Sequence, residues 1–428
     1  MKQILALGLV LALTACGGGG GSSTADKSRV DDVILGATYQ GTEAAMILGR
    51  FTGGQTQYLV QSFLKHLGNG RTEPAPVKIY QLTDTGTMID STVAILGGEI
   101  NLSVGKTLVA DFNSDGIDDL FFPGFSDTQD LLSSVAFISR PGQSHIRVNL
   151  PDLVWAHGAV AVDANRDGYL DVVDSWGNAW FNDGQGNFTF RAHTYMDSPG
   201  MWMHGSGVCA GDFNRTGRTQ LVITDQMIDL NIGPIADTVI FEIDNQGFPT
   251  AQHYLPVPVL DKNSTTTEIS HDVSCEVADL NNDGLPDIIV LSRPWAVSGG
   301  EWTNQGTMQI LINQGNWQFT DITSIAMTDY NTNVLVSYIP LIIDLNADGQ
   351  LDIWAGYFDH STGKANQAFL NNGAGIFKQV NKTLIDGFSA SSGMLPVKFN
   401  NKWAFVFSKM DQHRGVSLLY LTKPIYSF

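Results

Sequence analysis

The sequence predicts an all-β fold, a seven-bladed β-propeller, and three observations carry that expectation. An acidic nonapeptide returns along the chain as DFNSDGIDD from Asp111, DANRDGYLD from Asp163, DLNNDGLPD from Asp279 and DLNADGQLD from Asp344, with a degenerate copy, DFNRTGRTQ, from Asp212. The copies start 52, 49, 67 and 65 residues apart, a period that accommodates one four-stranded blade of about 40–50 residues. Short apolar runs flank each copy, such as LVA before Asp111 and LFF after Asp119, and these read as buried strands rather than amphipathic helices.

Two more segments fit the repeat without its acids. GRFTGGQTQYLV starts at Gly49, one period before Asp111, and VKFNNKWAFVFS starts at Val397, one period after Asp344, which brings the count to seven. Each copy has the same grammar. A first strand (A) enters the loop, and a second (B) leaves it as DLFFPG, DVVDSW, QLVITD, DIIVLS or DIWAGY. A third strand runs into an Asn/Gly turn, as in WFNDGQGNF near Trp180, FEIDNQGF near Phe241, ILINQGNWQF near Ile310 and AFLNNGAGIF near Ala368. Such turns close hairpins, so a fourth strand starts at the Phe. The seventh copy ends at GVSLLYLTKP without a fourth strand, while the run VILGATY, Val33 to Tyr39, belongs to no copy. That run is expected to supply the outer strand of the last blade, closing the ring and hiding strand edges.

The repeated loop has the chemistry of a hard-cation site. Each intact copy places oxygen-bearing side chains at positions 1, 3, 5 and 9, a carbonyl at 7 and a Gly at 6 that permits the sharp turn. The expected calcium ligands are Asp111, Asn113, Asp115, Ile117 and Asp119; Asp163, Asn165, Asp167, Tyr169 and Asp171; Asp279, Asn281, Asp283, Leu285 and Asp287; and Asp344, Asn346, Asp348, Gln350 and Asp352. Position 7 contributes its backbone carbonyl. An EF-hand would need a Glu at position 12 and flanking helices; position 12 holds Phe122, Asp174, Val290 and Ala355. In the degenerate copy Thr216 and Gln220 replace two acids and Arg215 and Arg218 add positive charge, so no metal is expected there.

These segments resemble the FG-GAP/VCBS repeat family, whose members include the integrin α-subunit propeller. The resemblance covers nearly the whole chain after residue 30. It implies seven blades with Ca2+ loops between strands A and B on one face, and it implies little about chemistry, because propellers host many unrelated functions.

The N-terminus, MKQILALGLVLALTAC, places one Lys before a short apolar run that ends in small residues, the form of a secretory signal over residues 1–15. Leu13-Thr14-Ala15-Cys16 resembles a bacterial lipobox, with Cys16 the lipidated first residue of the mature chain. Acyl chains on one Cys would anchor it stably, and residues 16–30 would form a flexible tether ahead of the propeller at 31–428. Gly17 after the Cys favours the outer membrane, periplasmic or surface-exposed. No later run is long enough to span a bilayer. The net charge of −19 argues against nucleic acid and anionic membranes as partners, leaving the lipid anchor as the only membrane contact. Extracellular calcium modules bind at about 10⁻⁴–10⁻³ M, which suits a compartment open to the medium. Cys209 and Cys275 lie in the A strands of copies four and five, three and four residues before the loop Asp. A disulfide is reasonable in an exported protein, and two buried free thiols are the alternative.

The D–A and B–C loops must occupy the rim opposite the acidic loops. The D–A side carries Trp155, His157, Met201, Trp202, Met203, His204 and His271; the B–C side carries Asp127, Trp176, Asp225, Arg293, Trp295, Tyr357, Asp359, His360 and His413. Aromatic walls with a few polar groups suit a ligand-binding mouth, here for a glycan or a protein. The plainer alternative is that some Trp residues pack between blades and that His157, His204 and His271 merely open A strands, since related repeats often place a His-Gly there. The polar stretch from Val257 to Ser270 would overhang this rim. A second reading is a polysaccharide lyase or sugar dehydratase, with His157, His204, His271 and Tyr357 as acid and base and Arg293 neutralising a uronate. Three His could also hold Zn2+, yet no nucleophile elbow, phosphate loop or HExxH occurs. A third reading is a scaffold subunit of an envelope complex.

Overall fold

The structure, a computed structural model, describes residues 33–40, 42–68, 71–103, 106–125, 132–194, 203, 205–227, 236–256, 268–296, 301–302, 307–327, 340–355, 367–380, 392–411 and 416–422. The expected signal, lipobox and tether, Cys16 included, lie outside them. Among the described residues no helix is long and apolar enough to cross a membrane.

The protein is all-β, and the described strands form seven separate antiparallel sheets. Sheet one joins Thr42–Gly49, Tyr58–Gly68, Arg71–Leu82 and Met88–Asp90, with Ile100–Leu102 beside its third strand. Sheet two joins Leu108–Ala110, Asp119–Phe122, Val135–Ile138 and Ile146–Asn149. Sheet three joins Ala159–Val162, Asp171–Asp174, Ala179–Asn182 and Phe188–Arg191, and sheet four joins Gly207–Gly211, Gln220–Met227, Ala236–Ile243 and Pro249–Tyr254. Sheet five joins Glu268–Ala278, Asp287–Ala296, Thr307–Asn313 and Phe319–Asp321, with Glu301–Trp302 beside its second strand. Sheet six joins Pro340–Ile343, Asp352–Ala355, Gln367–Asn371 and Phe377–Gln379.

Sheet seven joins Ser392–Phe399, Lys402–Asp411 and Val416–Thr422, and its fourth strand is Val33–Gln40 from the other end of the chain. Val33 pairs with Thr422 and Gln40 with Val416. The unassigned apolar run therefore takes the place expected for it, because the last copy leaves an unpaired edge whose N–H and C=O groups need partners.

The core lies between sheets rather than within one. One apolar cluster combines Phe121 of sheet two with Trp180 of sheet three, and another combines Val173 of sheet three with Phe241 of sheet four. Val222 of sheet four and Ile288 of sheet five share a third cluster, and Ile310 of sheet five and Phe369 of sheet six a fourth. The largest cluster holds Trp354 of sheet six, Phe405 of sheet seven, Leu59 of sheet one and Leu120 of sheet two. The first strands follow the same order, those of sheets one to six each lying beside the next. Both faces of a strand are thus buried, which explains the continuous apolar runs DLFF and DIIV where a half-exposed sheet would alternate.

Lys106, just before the first strand of sheet two, and Glu276, in the first strand of sheet five, act on each other electrostatically although their sheets are not neighbours. Burial pushes the Lys106 amine down and the Glu276 carboxyl up, and each partner's charge opposes that shift.

One expectation needs correction. Glu268 to Ser270, expected in a polar overhang, are strand residues. The ladder of sheet five continues outward through His271 opposite Arg293, Ile269 opposite Trp295 and Glu268 opposite Ala296. Backbone groups make that ladder, so polar side chains do not prevent it. Residues 257–267 lie outside the described residues.

Candidate functional site

The five nonapeptides, the degenerate one included, share one backbone. Their fourth residues, Ser114, Arg166, Arg215, Asn282 and Ala347, all have φ between 54° and 70°. Their sixth residues, Gly116, Gly168, Gly217, Gly284 and Gly349, have φ between 71° and 93°. Left-handed backbone is unfavourable for residues such as Ala and Arg, so the loop itself must hold it.

The acids do part of that work. Asp111 accepts the N–H groups of Asp115 at 3.1 Å and Gly116 at 2.9 Å, and Asp163, Asp279 and Asp344 do the same in their loops. Asp115 accepts the Ile117 N–H at 2.9 Å, with equivalents at Asp167, Asp283 and Asp348. The ninth residues, Asp119, Asp171, Asp287 and Asp352, are fully buried. Asp119 Oδ2 accepts the Phe112 N–H at 2.7 Å and its Oδ1 accepts the Ser139 N–H at 2.6 Å. Asp171, Asp287 and Asp352 tie the same loop position to Asn182, Asn313 and Asn371 on their third strands.

Burial acts against the charged form of these carboxylates. Burial pushes Asp119 and Asp287 up to about 6 and Asp171 up to about 7, against hydrogen bonds that favour the charged form. Asp352 is raised for the same reason, and a second loop carboxylate beside each of the four adds to the shift. The described ion pairs lie elsewhere, at Lys78 with Asp90 and Glu99 and at His253 with Glu242. Each intact loop carries Asp at positions 1, 5 and 9, an Asn amide oxygen at 3 and a carbonyl at 7, oxygen donors of the kind a hard cation takes, and the loop from Asp163 also carries Arg166. Among the described residues no group of three or more His, Cys, Asp or Glu is placed so that it could hold a metal ion.

The degenerate loop is closed differently. Gln220 Oε1 accepts the Phe213 N–H at 2.7 Å, as Asp119 does for Phe112. Its Nε2 donates to Asn214 Oδ1 at 3.3 Å and to the Arg218 carbonyl at 2.6 Å. Arg215 donates to the carbonyls of Asp283 and Gly284 in the next loop. Cys209 and Cys275 form a disulfide between the first strands of sheets four and five, with Cα atoms 5.8 Å apart.

A set of bridges between sheets had no sequence expectation. Asn182 Nδ2 donates to the Phe112 carbonyl at 2.7 Å, Asn313 to Phe213 at 2.9 Å, and Asn371 to Leu280 at 2.7 Å. Trp403 Nε1 makes the same bridge to Leu345 at 2.7 Å. Each ties one sheet to the second residue of an earlier loop. The Asn residues were visible only as turn formers; the signal was their fixed place just ahead of the Gly.

At the opposite end of sheets two and three, four aromatic rings meet. Phe125 follows the second strand of sheet two, Trp155 and His157 lead into sheet three, and Trp176 turns out of its second strand. Ring centroids are 5.4 Å apart for Phe125 and His157, 4.3 Å for Trp155 and His157, and 5.5 Å for Trp155 and Trp176. Phe125 is buried, while the other three keep partial exposure. The Ala156 N–H binds the Gly124 carbonyl and the Ser175 N–H binds the Gly158 carbonyl, fixing both approaches. Gly124 is required there, since an added Cβ would lie 2.0 Å from the Leu132 oxygen. Beneath Trp176, buried Asp174 accepts its N–H at 2.9 Å and both N–H groups of Asn178, from its backbone and its side chain. Burial pushes Asp174 up to about 7.

Of the other expected rim residues, His271, Arg293, Trp295 and Asp225 lie in strands, His271 directly opposite Arg293. Met203 is fully buried in the cluster shared by sheets three and four, so it is a core residue rather than part of a binding surface. Met201, Trp202, His204, Asp127, Tyr357, Asp359, His360 and His413 lie outside the described residues.

Fold and loops together define an all-β repeat protein built on acidic nonapeptides. Residues 279–355, spanning the loops from Asp279 and Asp344, match the model of the FG-GAP-like repeat. No curated protein matches the chain. Among solved structures, the chain is similar to 1,3Gal43A, an exo-beta-1,3-galactanase from Clostridium thermocellum, at 10% identity over 92% of this chain and 97% of that one, TM-score 0.34. It is also similar to the V. cholerae biofilm matrix protein Bap1, at 11% identity over 94% of this chain and 90% of that one, TM-score 0.32. At these scores neither likeness bears on the fold or activity of this chain.

Proposed function

We propose that the chain is a seven-bladed β-propeller whose four intact loops hold calcium on one face and whose opposite face binds a glycan or protein ligand. The ring is supported by core clusters that link each sheet to the next and sheets six and seven to sheets one and two. The influence of Lys106 on Glu276, from sheets two and five, fits strands gathered round a common centre. Calcium would be held by the loops' Asp and Asn oxygens and the carbonyls of Ile117, Tyr169, Leu285 and Gln350, offsetting the charge of the clustered carboxylates. Bound there, it would stabilise the folded state by mass action.

The observation that carries the binding function is the Phe125, Trp155, His157 and Trp176 group at the end away from the loops. Flat, partly exposed rings over a buried carboxylate provide apolar contact area, and polar neighbours would set orientation. The chain would act outside the cytoplasm, on a bacterial outer membrane, held by acyl chains on Cys16; the Cys209–Cys275 disulfide suits that compartment.

Glycan-array binding with the lipid-free protein in calcium, run beside a turnover assay on polyuronates, tests this function. Binding without turnover, weakened in Trp176→Ala, supports it. A UV-absorbing unsaturated product would establish a lyase instead. Neither binding nor turnover, with one stoichiometric crosslinked partner in envelopes, would establish a scaffold subunit.

A further inference from the structure

We infer that the side-chain amide of Gln220 takes the cation's place in the fourth loop, so that this loop closes on itself and excludes calcium. The inference rests on the calcium reading only for the word excludes; the closure stands on the loop's own hydrogen bonds.

The loop keeps the shared backbone, with Arg215 at φ 54° and Gly217 at φ 71°, although two of its acids are gone. Asp212 still accepts the N–H groups of Thr216 at 2.9 Å and Gly217 at 2.7 Å. Gln220 is 1% exposed and does two jobs at once. Its Oε1 accepts the Phe213 N–H, the role of the ninth-position Asp elsewhere. Its Nε2 donates to the Asn214 side-chain oxygen and the Arg218 carbonyl. Those are positions 3 and 7, the oxygens that would face an ion in an intact loop. Thr216, at position 5, also donates its hydroxyl to Asn214 Oδ1 at 2.7 Å, where an Asp could only accept. In the intact loops the position-3 Asn donates its amide to the position-5 carboxylate; here positions 5 and 9 are themselves donors, both aimed at the position-3 oxygen that a cation would otherwise take.

The closed loop also braces its neighbour. Arg215 reaches from position 4 to the carbonyls of Asp283 and Gly284, capping the fifth loop from outside. The disulfide joins the same two sheets. Sheets four and five are thereby tied twice, by the disulfide and by Arg215 on the fifth loop.

The test uses the full chain, with melting followed in EDTA. Gln220→Glu keeps the acceptor for Phe213 and the side-chain size, and turns the donor into an oxygen facing two oxygens. It is expected to melt lower than wild type by about 2 °C or more. Asn214→Asp, on the partly exposed side of the loop, offers the same donors a better acceptor and is expected to leave the melting temperature in EDTA unchanged or raised. In calcium, Gln220→Glu with Thr216→Asp is expected to bind one ion more than wild type by native mass spectrometry. Equal melting of Gln220→Glu and wild type, or a fall in Asn214→Asp, would overturn the inference, as would no gained ion. If wild type binds no calcium at all, the proposed function fails while the EDTA comparison still decides the closure.

Discussion

Asn371 donates from Nδ2 to the carbonyl of Leu280 at 2.7 Å, across 91 residues of sequence. The same side chain donates to the Leu351 carbonyl and accepts the N–H groups of Gly373 and Gly375. One amide thus fastens the hairpin of sheet six, its own acidic loop and the acidic loop of sheet five. Asn371→Leu leaves buried backbone groups without partners, each costing about 1–3 kcal/mol. Chemical denaturation should show a loss of at least that size, and more than for the exposed Asn372→Leu one residue away.

Calcium is expected to raise the melting temperature, because a ligand of the folded state alone stabilises it. Asp115→Ala and Asp283→Ala should each remove one ion from a count of four, and Thr216→Ala should remove none. Native mass spectrometry with matched melting curves in calcium and EGTA checks both.

Asp174 gives a pH dependence of defined sign. Burial raises its folded pKa to about 7, well above the ordinary carboxylate value, so the native state binds the proton more tightly than the unfolded chain. Stability from this group is therefore present at low pH and lost as pH rises towards about 7, at up to about 1.4 kcal/mol per pH unit. Asp174→Asn should flatten that slope between pH 5 and about 7 in denaturation curves measured at fixed calcium.

Trp176→Ala and Trp155→Ala should each weaken ligand binding about 30-fold, the effect of removing one aromatic anchor worth about 2 kcal/mol. The exposed Tyr254→Ala, on the fourth strand of sheet four, should leave affinity unchanged. Isothermal titration against the first glycan found on an array measures this.

Much of this architecture is written in the sequence because the repeat is chemical as well as numerical. Asp111, Asp163, Asp279 and Asp344 announce loops whose Gly residues adopt the left-handed turn the spacing requires. The leftover run at Val33 finds the leftover edge at Val416–Thr422. The inter-sheet bridges were not legible, since Asn182, Asn313 and Asn371 look like any turn residue until their distant carbonyl partners are known. Trp403 makes the same bridge with a different side chain, so no pattern search would join it to them. The long hairpin of sheet five was hidden because Glu268–Ala278 is polar and backbone pairing leaves no mark in side-chain composition. On the rim, residue type indicated Trp155, His157 and Trp176, but it could not separate them from Met203, which packs inward.

The most direct test of the central claim is a crystal structure grown in calcium with anomalous data. The account predicts seven sheets in a closed ring, with metal density in the loops at 111–119, 163–171, 279–287 and 344–352 and none in the loop at 212–220. An open arrangement of the sheets, or a ring whose four acidic loops carry no metal, would contradict it.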